Sequence, residues 1–201
     1  MYYAKSNPLE SVEEHTLLAL DGYAKFMLLY GKYFTERERY LIYIAIRYHD
    51  EGKKNLFFQN QIRKASKLPL LPEKEKEKDE NLPHGYLSPA FVPDSIRKKM
   101  NQDERKIVFN AIAYHHIRKH AFDASEIRDY IKGSLEDFIS KPLNTRYVGH
   151  IGKISNEEWV SFAIVKGVLN KNLHSNIVLL KLSELGNRLV VPNHKKAPDG
   201  I

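Results

Sequence analysis

The stretch TERERYLIYIAIRYHDEGK, residues 35–53, joins a strong helix pattern to an abruptly polar end. Thr35 and Glu38 stand three residues apart, as in the capping box that opens many helices, and residues 41–46 are all apolar. Gly52 is a typical residue at which such a helix stops. The pattern therefore predicts a buried helix. Its end carries three polar side chains: His49, Asp50 and Lys53.

Helical signals recur along the chain. Ser11 with Glu14, and Asn101 with Glu104, repeat the capping box ahead of amphipathic runs. Further helices are predicted in residues 11–30, 54–66, 84–92, 101–116, 123–140 and 155–186. Turn formers near residues 144–155 predict a loop or a short hairpin there, and no other sheet is evident. The predicted fold class is therefore all-α.

Length and composition indicate one globular domain over residues 1–201. Hydrophobic residues make up 42% and charged residues 28%, as in ordinary globular proteins. Residues 68–83, LPLLPEKEKEKDENLP, are bracketed by prolines and rich in charge, so we expect an exposed loop there. Residues 190–201 are expected to form a tail or a linker.

Several classes of protein and site are excluded or disfavoured. No apolar run reaches the roughly 18 residues of a spanning helix, and the N-terminus lacks the apolar segment of a signal peptide. We therefore expect a cytoplasmic protein with no membrane partner. The chain has no cysteine, which removes disulfides, thiolate zinc sites and cysteine nucleophiles. Any metal ion must be held by nitrogen and oxygen.

The charge balance favours a polyanionic partner. Lysine and arginine number 32 against 25 acidic residues, a net charge of +7. Basic clusters occur at residues 62–67, 95–100 and 115–120. Five aromatic residues can either stack on the bases of a single strand or fill the core, and the core is the more frequent place for aromatics at helical spacing. They are Tyr48, Phe57, Phe58, Tyr86 and Tyr114.

Histidines stand at the ends of the predicted elements or beside their apolar residues. His15 lies in the first predicted helix, His84 follows the charged loop, and His115 and His116 close the helix over residues 101–116. Each alone is more often a half-buried, loop or helix-terminal residue than a ligand. Together with the adjacent pair His49 and Asp50, they form an ordered set that indicates a shared site.

This ordered set resembles the HD phosphohydrolase superfamily, and more closely the HD nuclease domain of the CRISPR-associated helicase-nuclease of type I interference. The motifs that carry the resemblance are EEHTLLAL, YHDEGKKNLFFQ, PHGYLSPAF and AIAYHH, with IVKGVLNKNLHS as a looser match. They cover most of the chain from His15 to His174. The resemblance implies an HD-domain helical bundle with a mononuclear or binuclear metal centre.

The resemblance also implies which residues bind metal. His15, His49 and Asp50 would hold one ion, and Asp50 would bridge to a second. The ligands of the second ion would be His84, His115 and His116. Imidazole and carboxylate ligands suit Mn²⁺, Fe²⁺, Co²⁺, Ni²⁺ or Zn²⁺, whereas Mg²⁺ prefers oxygen. Asp50 and Lys53 would be catalytic, with Lys53 placing a fixed positive charge on the scissile phosphate or the leaving oxygen.

One element departs from the family pattern. A later aspartate usually completes the first ion's ligands, a few residues after a lysine-glycine pair. The segment KGVLNKNLHSN contains no aspartate and offers Asn172 and His174 instead. A neutral substitute lowers the negative charge of the site, so we expect the first ion to be held more weakly than the second.

The function that the resemblance implies is metal-dependent hydrolysis of single-stranded DNA in CRISPR interference, an antiviral defence. The partners would be single-stranded DNA, a helicase chain or domain, and a CRISPR surveillance complex. The chain has no G-x-x-x-x-G-K-[ST] loop, so a separate helicase would have to unwind the DNA. Two alternatives stay open. One is an HD phosphohydrolase acting on a nucleotide or small phosphate ester, and the other is a degenerate HD domain that binds nucleic acid without cleaving it.

Overall fold

The computed structural model describes residues 1–72, 82–116 and 123–151, and these are mostly helical. Two short strands, β1 (Tyr3–Ser6) and β2 (Leu9–Ser11), precede the helices. The helices are α1 (Val12–Tyr30), α2 (Glu36–Tyr48), α3 (Leu56–Ala65), α4 (His84–Leu87), α5 (Asp94–Arg97), α6 (Gln102–Ala113), α7 (Ala124–Tyr130) and α8 (Glu136–Ile139). Within these ranges, no helix combines the length and the apolar character that a membrane crossing requires.

The helix starts follow the local sequence signals. In α2, the Thr35 side chain accepts from the Glu38 backbone N–H, while the Glu38 carboxylate accepts from the Thr35 backbone N–H. The same reciprocal pair opens α1 and α6. A single turn of π-helix, Ile131–Leu135, links α7 to α8, so residues 124–139 run as one nearly continuous helix. The helices predicted over residues 11–30, 101–116 and 123–140, and the helix that begins at Thr35, are therefore confirmed, whereas the helix predicted over residues 155–186 lies outside the described residues.

The core lies around α2, which packs against both α1 and α6. Its residues Leu41, Ile44 and Ile46 are buried, as the apolar run predicts. From α6, Val108 and Ile112 belong to the same cluster. His49 and Asp50, which follow the last turn of α2, are buried as well.

The N-terminal sheet is a difference from the all-α prediction. β1 and β2 pair antiparallel, with Tyr3 opposite Ser11 and Ser6 opposite Leu9. The strands have four and three residues, and strands this short do not show a recognisable alternation of apolar and polar residues in the sequence. A distant side chain supports them, because Gln59 of α3 accepts from the Tyr3 N–H and donates to the Tyr3 carbonyl.

Of the two alternatives predicted near residues 144–155, a loop or a short hairpin, the described residues 144–151 contain no strand and so do not form the hairpin. Arg146–His150 forms a 3₁₀-helix, and residues 152–155 lie outside the described ranges. Adjacent residues Tyr147 and Val148 are both buried, which a strand with one exposed face does not allow. The Tyr147 hydroxyl donates to the Tyr86 carbonyl and so fixes this turn against α4.

The expected loop at residues 68–83 is described only in part. Residues 68–72 carry no regular structure and are exposed or half-buried. Residues 82 and 83 are buried, at the entry to α4. Residues 73–81, like the expected tail at residues 190–201, lie outside the described ranges.

Candidate metal centre

The residues that follow the last turn of α2 place the carboxylate of Asp50 in the interior of the molecule. His49 is the C-cap of α2, and its Nδ1 lies 2.8 Å from the Ile46 carbonyl oxygen of the last turn. Asp50 follows, and a 3₁₀-turn over Glu51–Lys54 then leads the chain away. The Asp50 side chain is 1% exposed, so its carboxylate needs compensating partners.

Gly52 permits a close approach between this turn and α4. A Cβ at Gly52 would lie 2.1 Å from the His84 carbonyl oxygen and 2.8 Å from the Ser88 hydroxyl, so no larger residue fits. The Gly52 N–H donates to Ser88 Oγ at 2.8 Å, and Ser88 Oγ donates to the His84 carbonyl at 2.9 Å. These contacts place His84 beside Asp50.

A second glycine brings α4 against the end of α6. A Cβ at Gly85 would lie 2.5 Å from the Ala113 carbonyl oxygen and 3.4 Å from Cε1 of His115. The absence of a side chain at Gly85 therefore lets the ring of His115 reach the same pocket as His84.

The two carboxylate oxygens of Asp50 face different groups. Oδ2 lies 3.1 Å from His15 Nε2 and 3.3 Å from His49 Nε2. The Lys53 ammonium lies 2.7 Å from the same oxygen. We call this half of the cluster the Oδ2 side.

Among the described residues, the groups that face the other oxygen are imidazoles. Asp50 Oδ1 lies 3.2 Å from His84 Nε2 and 3.2 Å from His115 Nε2, and those two nitrogens are 3.3 Å apart. Half-buried His116 belongs to the same group, because its ligand atom lies within 4.8 Å of those of Asp50, His84 and His115. We call this half the Oδ1 side.

Hydrogen bonds at the far ring nitrogens fix how the imidazoles point. His115 Nδ1 lies 2.6 Å from the Ile112 carbonyl oxygen, which can only accept, so Nδ1 carries the hydrogen. Burial lowers the pKa of His115, so the ring is neutral near pH 7 and its Nε2 presents a lone pair. That lone pair faces Asp50 Oδ1, and two electron-rich atoms this close favour a cation between or beside them.

His15 has a carboxylate behind it rather than a carbonyl. Its Nδ1 lies 2.8 Å from Glu10 Oε1, and Lys5 donates to the other oxygen of Glu10 at 2.9 Å. Burial raises the pKa of Glu10, but hydrogen bonds from Lys5 and His15 outweigh it and hold the pKa below its ordinary value. A carboxylate behind a histidine is the usual arrangement at metal sites, where it orients the ring and increases its basicity.

Electrostatics keep the acid charged and the imidazoles neutral on the Oδ1 side. Burial raises the pKa of Asp50, yet the surrounding histidines His49, His115 and His15 outweigh burial and hold this pKa well below its ordinary value. Burial lowers the pKa of His84 to about 3. A carboxylate surrounded by neutral imidazoles is a donor set for a divalent transition metal rather than for Mg²⁺.

The predicted site residues therefore fall into two classes. His15, His49, Asp50 and Lys53 converge, and the residues of the Oδ1 side join them around the shared acid. Asn172 and His174 lie outside the described residues. Within the described ranges, Glu10 and Ser88 support the cluster without having been predicted to do so, and no local motif marks Glu10, which stands five residues before His15 on another element.

The predicted aromatic residues divide between core and partial exposure. Tyr86 and Tyr114 are buried and stack edge to face at 5.6 Å, so they belong to the core. Tyr48, Phe57 and Phe58 are half-buried. Of the basic clusters, residues 62–67 and 95–100 are described, while residues 117–120 of the third are not.

No protein-family model matches this chain, and neither a curated protein nor a solved structure matches it. The chemistry of the cluster thus has to be judged from its own donor atoms. Five imidazoles and one shared carboxylate form two overlapping groups, each of which can hold a metal ion.

Proposed function

We propose that the chain is a metal-dependent phosphodiesterase of the HD superfamily, and specifically a nuclease that cuts single-stranded DNA. The observation that carries the proposal is the position of Asp50, whose two oxygens each face imidazoles from distant parts of the chain. The order of the motifs that supply these residues supports the HD assignment. In this proposal the helices form an HD-domain bundle.

The residues of the cluster have separate tasks in hydrolysis. A bound divalent transition metal, as one or two ions, supplies the charge that activates water and neutralises a phosphoryl group under attack. Asp50 ties the two halves together and fixes their spacing. Lys53 carries a permanent charge at the edge of the centre, where it can bind a phosphate oxygen. Burial of the cluster keeps its electrostatic interactions strong.

The choice of DNA as substrate draws on charge and on the resemblance. The net charge of +7 favours a polyanion over a neutral substrate. The related nucleases act on single strands that a helicase exposes, so the partners proposed here are a helicase chain or domain and a CRISPR surveillance complex. Under the same proposal the protein acts in the cytoplasm, where DNA is present.

The test is cleavage by the purified full chain. Labelled single-stranded DNA, duplex DNA and a panel of nucleotides are incubated with Mn²⁺, with Mn²⁺ plus EDTA, and with Mg²⁺. We expect the single strand to be cut in Mn²⁺, with loss of cleavage in EDTA and in the Asp50→Asn variant. An exposed-site variant, Asp129→Asn, is the matched control and should cut normally.

Two other results would replace the proposal. Turnover of a nucleotide with intact DNA would identify a small-molecule phosphohydrolase that uses the same metal centre. Tight binding of DNA with no cleavage in any divalent metal would identify a binding module, in keeping with the missing late aspartate.

A further inference from the structure

An open groove of about 420 Å³ lies between the β1–β2 turn and α3. Its α3 wall is formed by Phe58, Gln61, Ile62 and Ala65, which recur at the spacing of one helix face. Ser6 and Asn7 of the turn line the opposite wall. The volume is within the range of small-molecule sites, roughly 300–1,000 Å³.

Phe58 connects this groove to the metal centre. Its ring lies edge to face with the ring of His84, with centroids 5.3 Å apart. The Lys53 ammonium lies 5.5 Å from the centroid of the same ring. One half-buried aromatic side chain thus borders both the groove and the two residues proposed to bind metal and phosphate.

The lining matches the chemistry of a nucleobase. Phe58 and Ile62 offer apolar surface for the faces of a planar ring. Asn7 and Gln61 offer amide donors and acceptors for its polar edge. Base stacking on aromatic side chains is the sequence-tolerant mode by which proteins hold single strands. The basic side chain of Lys5 also lines the groove, although it is paired with Glu10.

We propose that this groove binds the base of a nucleotide adjacent to the scissile phosphate, with Phe58 as the stacking surface. The proposal rests on the proposed function, because it assumes a strand whose phosphate reaches the metal centre. It adds a reason for selecting single strands, since a base inside a duplex cannot enter such a groove. Phe58 acts here as a substrate-binding residue.

The test compares two substrates that share phosphates and differ in bases. We measure kcat/KM in Mn²⁺ for a short thymidine oligonucleotide and for an abasic oligonucleotide of equal length. Phe58→Ala should lower kcat/KM on the thymidine strand about 5- to 150-fold, which corresponds to the ~1–3 kcal/mol of a stacked base. On the abasic strand it should change kcat/KM less than about twofold.

Matched variants separate stacking from packing. Phe57→Ala removes the neighbouring half-buried aromatic, which does not line the groove, and should leave the preference for the thymidine strand unchanged. Phe58→Tyr keeps the stacking surface and should retain activity. Ala65→Trp fills the groove without altering the contact with His84, so it should reproduce the base-selective loss even if Phe58→Ala folds poorly.

The outcomes distinguish this inference from the proposed function. If wild-type protein cuts DNA but Phe58→Ala lowers kcat/KM equally on the thymidine and abasic strands, Phe58 only supports His84 and the inference fails. The inference also fails if neither Phe58→Ala nor Ala65→Trp lowers kcat/KM on the thymidine strand. If wild-type protein neither cuts nor binds single strands, the nuclease proposal fails and the inference fails with it.

Discussion

The two halves of the cluster share one carboxylate but differ in charge. On the Oδ1 side, Asp50 faces imidazoles within the described residues, and burial keeps His84 and His115 neutral. On the Oδ2 side it faces His15, His49 and the Lys53 ammonium, which lies 2.7 Å away. The side chain of Asp50 is almost fully buried, so solvent screens these interactions little.

This difference indicates on which side of Asp50 an ion should bind more tightly. A cation entering the Oδ2 side meets the Lys53 ammonium, which contacts that oxygen directly. On the Oδ1 side the contacting groups within the described residues are imidazoles, and the charge of Lys53 acts on His84 without direct contact. The lack of a late aspartate in residues 164–176 would weaken the Oδ2 side for an independent reason. We therefore expect tight binding on the Oδ1 side and weaker binding on the Oδ2 side.

The largest effect should come from removing the shared acid. Asp50→Asn abolishes the charge that both halves use, so both ions should be lost. Loss of several kcal/mol of transition-state stabilisation corresponds to a decrease of about a thousandfold or more in kcat/KM. Metal content by mass spectrometry and DNA cleavage check this. If the variant retains either ion at normal affinity, Asp50 is not a ligand shared by both ions.

Removing one imidazole from each half tests the asymmetry directly. His115→Gln should weaken binding of the tighter ion by about 100-fold or more, because even the loss of a supporting hydrogen bond costs 10–100-fold. His15→Gln should leave that ion in place and affect only the weaker one. The measurements are metal stoichiometry and the rise in melting temperature on adding Mn²⁺. Equal losses in the two variants would contradict the asymmetry.

Neutralising the lysine should make the two halves more alike. Lys53→Met removes the charge that opposes an ion on the Oδ2 side, so metal stoichiometry should rise at limiting Mn²⁺. Turnover should nevertheless fall by about tenfold to a hundredfold, because a charge aimed at the phosphate is lost. Lys54→Met is the control: Lys54 pairs with Glu51 and does not touch Asp50. Unchanged stoichiometry in Lys53→Met would show that Lys53 does not set the difference.

The smallest effect should come from the carboxylate behind His15. Glu10→Ala removes the hydrogen bond that orients this ring and should weaken the Oδ2 ion about tenfold, with no change on the Oδ1 side. Lys5→Ala removes the other partner of Glu10 and should change neither. Isothermal titration calorimetry with Mn²⁺ measures the affinities of the Oδ1 side and the Oδ2 side. A loss of Mn²⁺ affinity on the Oδ1 side as well would mean that Glu10 stabilises the fold rather than the orientation of the His15 ring.

The parts that sequence could predict are those with local signals. The start of α2 follows from Thr35, Glu38 and the apolar run, all within one element. Its end does not, because the helix stops at Tyr48 and the predicted stop, Gly52, lies in the next turn. The histidines and Asp50 could be grouped because their motifs occur in a fixed order. The different surroundings of the two Asp50 oxygens could not be predicted. They depend on the side-chain rotamers of the histidines and on the distances between the helix ends that carry them.

The parts that sequence missed depend on distant partners. β1 is held by Gln59, 56 residues away from Tyr3, and Glu10 lies in β2, the strand that pairs with β1. The turn at residues 146–150 is fixed by Tyr147 reaching the carbonyl of Tyr86. Such contacts leave no periodic trace in the sequence, so short elements that rely on them escape pattern analysis.

The groups around Asp50 are spread from α1 to the end of α6, over a hundred positions of the chain. Closing such long loops is slow and comes after local helices have formed. A nascent or unfolded chain therefore offers no preformed chelating pocket, so an ion that binds Asp50 and its imidazoles would bind the folded chain in preference to the unfolded one. By mass action, the supply of such an ion would then raise the fraction of molecules that stay folded.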